Sequence, residues 1–194
     1  MRSLPNIIVT GVPGVGKTTL CEELVEIINK ELNKNPQPQS PHNQMKHLNL
    51  STVIKEERLY QEFDDQLDAS IYSNEMVNEK LEQLKLENGG YIIDFHDVEF
   101  PEQKELIDHI FLLTISTNKL YERLEKRNYS EEKIKNNIEC EIFQVIKEDI
   151  LNYYEDSSIF EELENNDMQQ YESNVQVIKG WVLSWRKSNE PLPR

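Results

Sequence analysis

The residues Gly11-Val12-Pro13-Gly14-Val15-Gly16-Lys17-Thr18 fit the pattern Gly-x-x-x-x-Gly-Lys-Ser/Thr in full. That spacing serves a phosphate. Glycines let the backbone curl around an anion, so that N–H groups and the start of the next helix point at it. Lys17 then reaches the β- and γ-phosphates, and the Thr18 hydroxyl suits Mg²⁺. A glycine turn that binds nothing has the same composition but not the same context. Here the apolar run Asn6-Ile7-Ile8-Val9-Thr10 precedes the turn as a buried strand, and an amphipathic helix from about Thr18 to Leu32 follows it.

Other residues gain meaning beside this loop. Asp94 ends the apolar run Tyr91-Ile92-Ile93-Asp94-Phe95. A strand-end acid near a phosphate loop suits a Mg²⁺ shell, although such an acid also serves as an ordinary turn or helix cap. His96 follows two residues on and shares Asp94's side if the chain stays extended, either to orient a water or the metal shell, or to bond backbone as a loop histidine. Arg123 and Arg127 are spaced i, i+4 on one predicted helix face. Two guanidinium groups aimed together suit a polyphosphate, and the plainer alternative is surface pairing with Glu122, Glu125 or Glu131. His42, His47 and His109 have no metal spacing, and Trp181 and Trp185 sit at core spacing.

The elements that must carry these groups alternate in the manner of a parallel α/β fold. Strands are predicted at Lys46–Leu50, Tyr91–Phe95 and Ile110–Ile115, with a last short strand starting at Ile159-Phe160. Helices are predicted from Ser51 or Thr52 to about Tyr60, from Ser73 to Glu87, from Asn118 to Lys126, from Ser130 to about Tyr154 and from Met168 to Lys187. Asp64, Asp65 and Asp68 read as part of an acidic loop, and Asn33 to Gln44, with Pro36, Pro38 and Pro41, as a disordered surface insertion.

The chain of 194 residues has room for one domain, 1–194. Its 21 Lys+Arg against 36 Asp+Glu leave a net charge of −15. That balance disfavours free nucleic acid and favours small anions in a local basic pocket, or a basic protein partner. Mean hydropathy is −0.68, and no apolar run approaches the ~20 residues of a membrane span. Met1 to Asn6 leads straight into a strand, so no signal peptide is expected. Cys21 and Cys140 lie far apart without metal spacing, which fits reduced thiols in a cytosolic or nuclear protein.

The run from Asn6 to Leu20 resembles the start of the adenylate kinase isoenzyme 6 family. So do Ile92 to His96, where the family has Asp-x-His, and Leu120-Tyr121-Glu122-Arg123-Leu124-Glu125 with Arg127 and Tyr129. The run Asn137-Ile138-Glu139-Cys140-Glu141-Ile142-Phe143-Gln144-Val145 is similar to a family signature almost without change. The similarity extends from about Pro5 to Trp185. It implies a P-loop fold of adenylate kinase type: five parallel strands in order 2-3-1-4-5, flanked by helices, with a nucleotide-monophosphate arm at about 49–72 and a short lid at about 126–136.

The resemblance further implies transfer of a phosphoryl group from ATP to AMP with Mg²⁺, a side ATPase activity, and work on the small ribosomal subunit with a basic ribosomal protein, in nucleus and cytoplasm. Gly14, Val15, Gly16, Lys17, Thr18, Thr19 and Arg127 fall at ATP-contacting positions, Arg123 at the neighbouring one, and Asp94 and His96 at the acid and histidine pair. The family's arm helix begins Asp-Leu-x-Arg, and here it reads Thr52-Val53-Ile54-Lys55. Lys55 keeps the charge for AMP without the bidentate fork, and Arg58 is a second cation close by. After His96 the family has a small pair, and this chain has Asp97-Val98. A second reading on the same residues is an ATP-driven assembly switch that releases a basic protein.

Overall fold

A computed structural model describes residues 2–34, 43–64 and 69–189. Its centre is β1 (Ile7–Thr10), buried on both faces as its uninterrupted apolar run requires. Ile7 and Val9 face one core cluster, with Leu24 and Ile28 of α1 (Lys17–Lys34) and Ile178 and Val182 of α7 (Met168–Ser188). Ile8 faces the other, with Ile54 of α2 (Leu50–Glu57) and Val77 and Leu81 of α3 (Asn74–Gln83). This period-2 division of one strand between two helical layers makes the molecule three layers thick.

The main sheet is completed by β2 (Lys46–Asn49), β5 (Tyr91–Asp94), β6 (His109–Thr114) and β7 (Phe160–Glu164). Its order is β2-β5-β1-β6-β7 and every pairing is parallel. Counted within this sheet alone, the order is 2-3-1-4-5, as the resemblance implied. Asn49 and Asp94 are register partners at the ends of adjacent strands. The carboxyl ends of β1, β2 and β5 therefore meet beside the glycine loop, the position where parallel sheets bind ligands.

Several elements differ from the sequence reading. Part of the acidic loop is an antiparallel hairpin, β3 (Tyr60–Asp64) and β4 (Ala69–Tyr72). Tyr60, Phe63, Ile71 and Tyr72 supply the strand propensity that the neighbouring acids mask in the sequence. Asp65 and Asp68 lie outside the described residues, as do the prolines of the 33–44 insertion and His42. Asn49, rather than Ser51 or Thr52, caps α2, which ends when Arg58 turns left-handed at φ 58°. Lys85, at φ 58°, separates α3 from the short turn Leu86–Asn88, so that helix stops short of Glu87.

The long helix expected over Ser130 to Tyr154 is two helices, α5 (Glu131–Ile142) and α6 (Val145–Tyr154). Gln144 breaks it in a left-handed conformation, φ 52°, which no proline or glycine announces. The other helix, α4 (Thr117–Lys126), precedes them. Among the described residues, no helix is long and apolar enough to cross a membrane.

Candidate functional site

The loop between β1 and α1 needs its glycines for two separate reasons. At Gly11, φ is 139° and a Cβ would stand 2.4 Å from the Leu113 carbonyl oxygen. At Gly14, φ is 98° and a Cβ would press within 2.9 Å of Leu124 on α4. The Lys17 ammonium lies back along the loop, donating to the carbonyl oxygens of Gly11 at 2.8 Å and Val12 at 3.2 Å. Burial, only partly offset by the charge of Asp94, lowers its pKa to about 8. A lysine held along the loop by two carbonyls can exchange them for an anion.

Below it, Thr18 Oγ1 donates to Asp94 Oδ2 at 2.6 Å. Asp94 is 3% exposed. Asn49 Nδ2 donates to the same Asp94 oxygen at 3.0 Å and lies 3.3 Å from Thr18 Oγ1. His47 Nε2 is 3.5 Å from Asp94 Oδ2 and is buried without a hydrogen-bond partner. A hydroxyl and a carboxylate fixed together at the foot of a phosphate loop are hard oxygen donors of the kind Mg²⁺ takes, and they fit that ion. Cys21, one turn along α1, is buried, which raises its pKa well above the ordinary thiol value and keeps it neutral.

These groups open into a cleft of about 770 Å³, within the range of small-molecule sites. Gly14, Gly16, Lys17, Thr18, Thr19, Asp94, His96, Arg127 and Lys55 all line it. His96 packs against Phe95, with ring centroids 4.5 Å apart. Desolvation by the cleft walls, then the charge of Lys17, lowers its pKa, so the imidazole is neutral at pH 7. Lys55 comes from α2 on one wall, and Tyr129, Lys133 and Asn137 come from α5 and the residues before it on the other. Asp97, Glu99 and Asp149 add negative charge to the same space. The Tyr72 hydroxyl of β4 donates to Asp97 and ties the hairpin to the segment after β5.

Three expected site residues do not line the cleft. The Val15 side chain is fully buried beneath the loop. Arg58 is exposed and absent from the cleft lining, its backbone spent on ending α2. Arg123 also stays out of the cleft lining. It donates to the carbonyls of Gly14 at 3.3 Å, Val15 at 3.1 Å and Asn165 at 3.0 Å, so it braces the loop from behind. Asn165, just past β7, adds a bond from Nδ2 to the Val15 carbonyl at 2.7 Å. Asn49, His47 and Asn165 carry no motif, and only the pairing of distant strands could have revealed them.

A complete phosphate loop at the carboxyl edge of this sheet, opposite a buried strand-end acid, defines a P-loop kinase fold. The chain belongs to the adenylate kinase isoenzyme 6 family. It is 66% identical over 185 residues to the adenylate kinase isoenzyme 6 homolog of Plasmodium falciparum (isolate 3D7), covering 95% of this chain and 98% of that one. It is 36% identical over 188 residues to the homolog of Schizosaccharomyces pombe (strain 972 / ATCC 24843), covering 97% of each. Residues 7–144 match the family described as AAA domain. The fold is also that of a shikimate kinase from Bacteroides thetaiotaomicron, with a TM-score of 0.53 at 19% identity over 93% of this chain and 99% of that one.

Proposed function

We propose that this nucleotide kinase transfers the γ-phosphoryl group of ATP to AMP, giving two ADP, with Mg²⁺ held by Thr18 and Asp94. The observation that carries the reading is the single cleft that joins the phosphate loop to Lys55 on one wall and to Arg127 and Lys133 on the other. Cationic groups on separate elements suit two phosphate chains meeting in one space. The adenylate kinase names of the relatives support AMP as the acceptor.

The mechanism is positioning and charge neutralisation. Lys17 leaves the Gly11 and Val12 carbonyls and meets the β- and γ-phosphates, while the loop amides hold the donor. When bound, Mg²⁺ neutralises charge on the phosphates. Arg127 faces the transferring group, and Lys55 holds the acceptor phosphate. An AMP phosphate oxygen is already a nucleophile, so no general base is needed. Neutral His96 is placed to hydrogen-bond phosphate or water without adding charge.

The test is a coupled assay for ADP formed from ATP, with and without AMP. A strong AMP-dependent signal supports the kinase, and ADP formation indifferent to AMP overturns it. A second reading, an ATPase-driven switch in small-subunit ribosome maturation, in nucleus and cytoplasm, is favoured by the net charge of −15. That surface attracts a lysine- and arginine-rich ribosomal protein and repels free nucleotides at long range. Titrating such a protein with and without Mg·ATP at several salt concentrations tests it. Binding that weakens as salt rises and responds to nucleotide supports the switch, and absence of binding at low salt rules it out.

A further inference from the structure

We infer that Asn49 is a positioning residue that couples the first helix of the acceptor arm to the metal-holding pair, Thr18 and Asp94. This rests on the reading that Thr18 and Asp94 hold Mg²⁺.

Asn49 does two things with the two ends of one side-chain amide. Its Oδ1 accepts from the Thr52 backbone N–H at 2.9 Å and so caps α2. Its Nδ2 donates to Asp94 Oδ2 at 3.0 Å and reaches Thr18 Oγ1 at 3.3 Å. The chemistry of the two sides fixes the orientation. Turned over, the amide would set its oxygen against the Asp94 carboxylate and its hydrogens against the Thr52 N–H.

The backbone makes this link stiff. Asn49 is the last residue of β2 and the register partner of Asp94, so neither Cα can drift from the other without breaking the parallel ladder. The next residue already belongs to α2. No hinge loop lies between the strand that holds the amide and the helix that carries Ser51, Thr52 and Lys55 into the cleft. Any tilt of α2 about its first turn must turn the amide, and any turn of the amide moves a donor on Asp94.

The coupling runs both ways. A cation on Thr18 and Asp94 orders the carboxylate, which fixes Asn49 and the first turn of α2, and so sets where Lys55 stands before an acceptor arrives. An acceptor phosphate that draws α2 inward steadies Asp94 in return. Side chains that orient a metal ligand in this way are typically worth about 10–100-fold in metal affinity.

Asn49→Ser separates the two tasks, because a serine at this position still caps the helix but has no amide to reach Asp94. We expect it to melt close to the native temperature, and its half-saturating Mg²⁺ concentration to rise about tenfold. Hydrogen exchange of the amides of residues 50–54 in the native chain, with ADP alone and with Mg·ADP, needs no variant to fold. The expected result is slower exchange when Mg²⁺ is added, and loss of that response in Asn49→Ser. Broadening of protein proton resonances near Thr18 by Mn²⁺ with ADP reports the metal independently. No broadening in the native chain overturns the metal reading and this inference together. Broadening with no change in residues 50–54, or a Ser variant with native Mg²⁺ dependence, overturns the inference alone.

Discussion

Arg123 and Arg127 are one helical turn apart on α4 and its end, yet they serve opposite sides of the phosphate loop. Arg123 grips the carbonyls of Gly14, Val15 and Asn165 behind the loop, and Arg127 lines the cleft in front of it. The cause is the helix end. α4 stops at Lys126, and the Arg127 N–H donates to the Leu124 carbonyl at 3.1 Å in a tighter last turn, which rotates Arg127 off the face that the i, i+4 spacing presumes. Burial, then the neighbouring Arg127 charge, lowers the pKa of Arg123, and the carbonyls that surround it offset that cost.

The two arginines should therefore fail differently. Arg127→Ala is expected to lower kcat more than it weakens ATP binding, and Arg127→Lys to rescue only partly. Arg123→Ala is expected to weaken ATP binding and to destabilise the protein by about 1.5–3 kcal/mol, because it leaves loop carbonyls without a charged donor. Steady-state kinetics beside thermal melts distinguish them. Equal melting and equal kinetic losses in both variants would contradict this division.

Lys17→Ala should leave the melting temperature nearly unchanged and cut turnover by roughly 10²–10³. The ammonium donates to the Gly11 and Val12 carbonyls, but its pKa lowered to about 8 shows that burying the charge there carries a net cost, so its removal takes away a cost along with two bonds. Near-native turnover in a folded Ala variant would remove Lys17 from the chemistry.

His109 makes the protein lose stability in acid. Its ring lies between Trp181, stacked at 4.7 Å, and Phe111, at 4.8 Å, with Nε2 buried and unpartnered. Burial lowers its pKa from 6.5 to about 4. The unfolded chain takes up this proton near 6.5 and the folded chain only near 4. Between those values the unfolded state binds more protons, so stability is whole above 6.5 and falls as pH drops through the window. The loss across this window is on the order of 2 kcal/mol. Melts of native and His109→Phe chains from pH 7 to 4 should diverge, with the variant flatter. Parallel curves would show that His109 does not titrate as described.

Gln144, at φ 52°, sets the bend between α5 and α6. A β-branched residue fits that conformation poorly, so Gln144→Val should destabilise by about 1–2 kcal/mol, whereas Gln144→Gly should be neutral or better. Chemical denaturation of the two variants decides this, and indistinguishable midpoints would mean that the bend relaxes at no cost.

The first third of the site was legible because it is local. The apolar run before Gly11, the loop spacing and the helix after Thr18 lie in one stretch, and Asp94 is marked by the strand that it ends. Asn49 was not legible, because its importance lies in the pairing of β2 with β5, which no short-range pattern encodes. Arg123 looked like half of a phosphate clamp because spacing shows which face a side chain shares, but not which carbonyls wait there. The α5–α6 break and the β3–β4 hairpin were hidden for a related reason. Gln144 and the acids near Asp64 are residues whose propensities do not oppose a helix or a loop strongly enough to announce the alternative.

The bond from Asn165 to the Val15 carbonyl spans 150 residues. During synthesis, the glycine loop leaves the ribosome long before the strand that supplies its floor. At ordinary elongation rates that interval lasts on the order of 10–30 s. Until Asn165 emerges the nascent chain carries a phosphate loop without this brace and, once β6 has emerged, an apolar strand edge still awaiting β7. A nucleotide that needs the fully braced loop therefore rewards folding only after residue 165 has emerged.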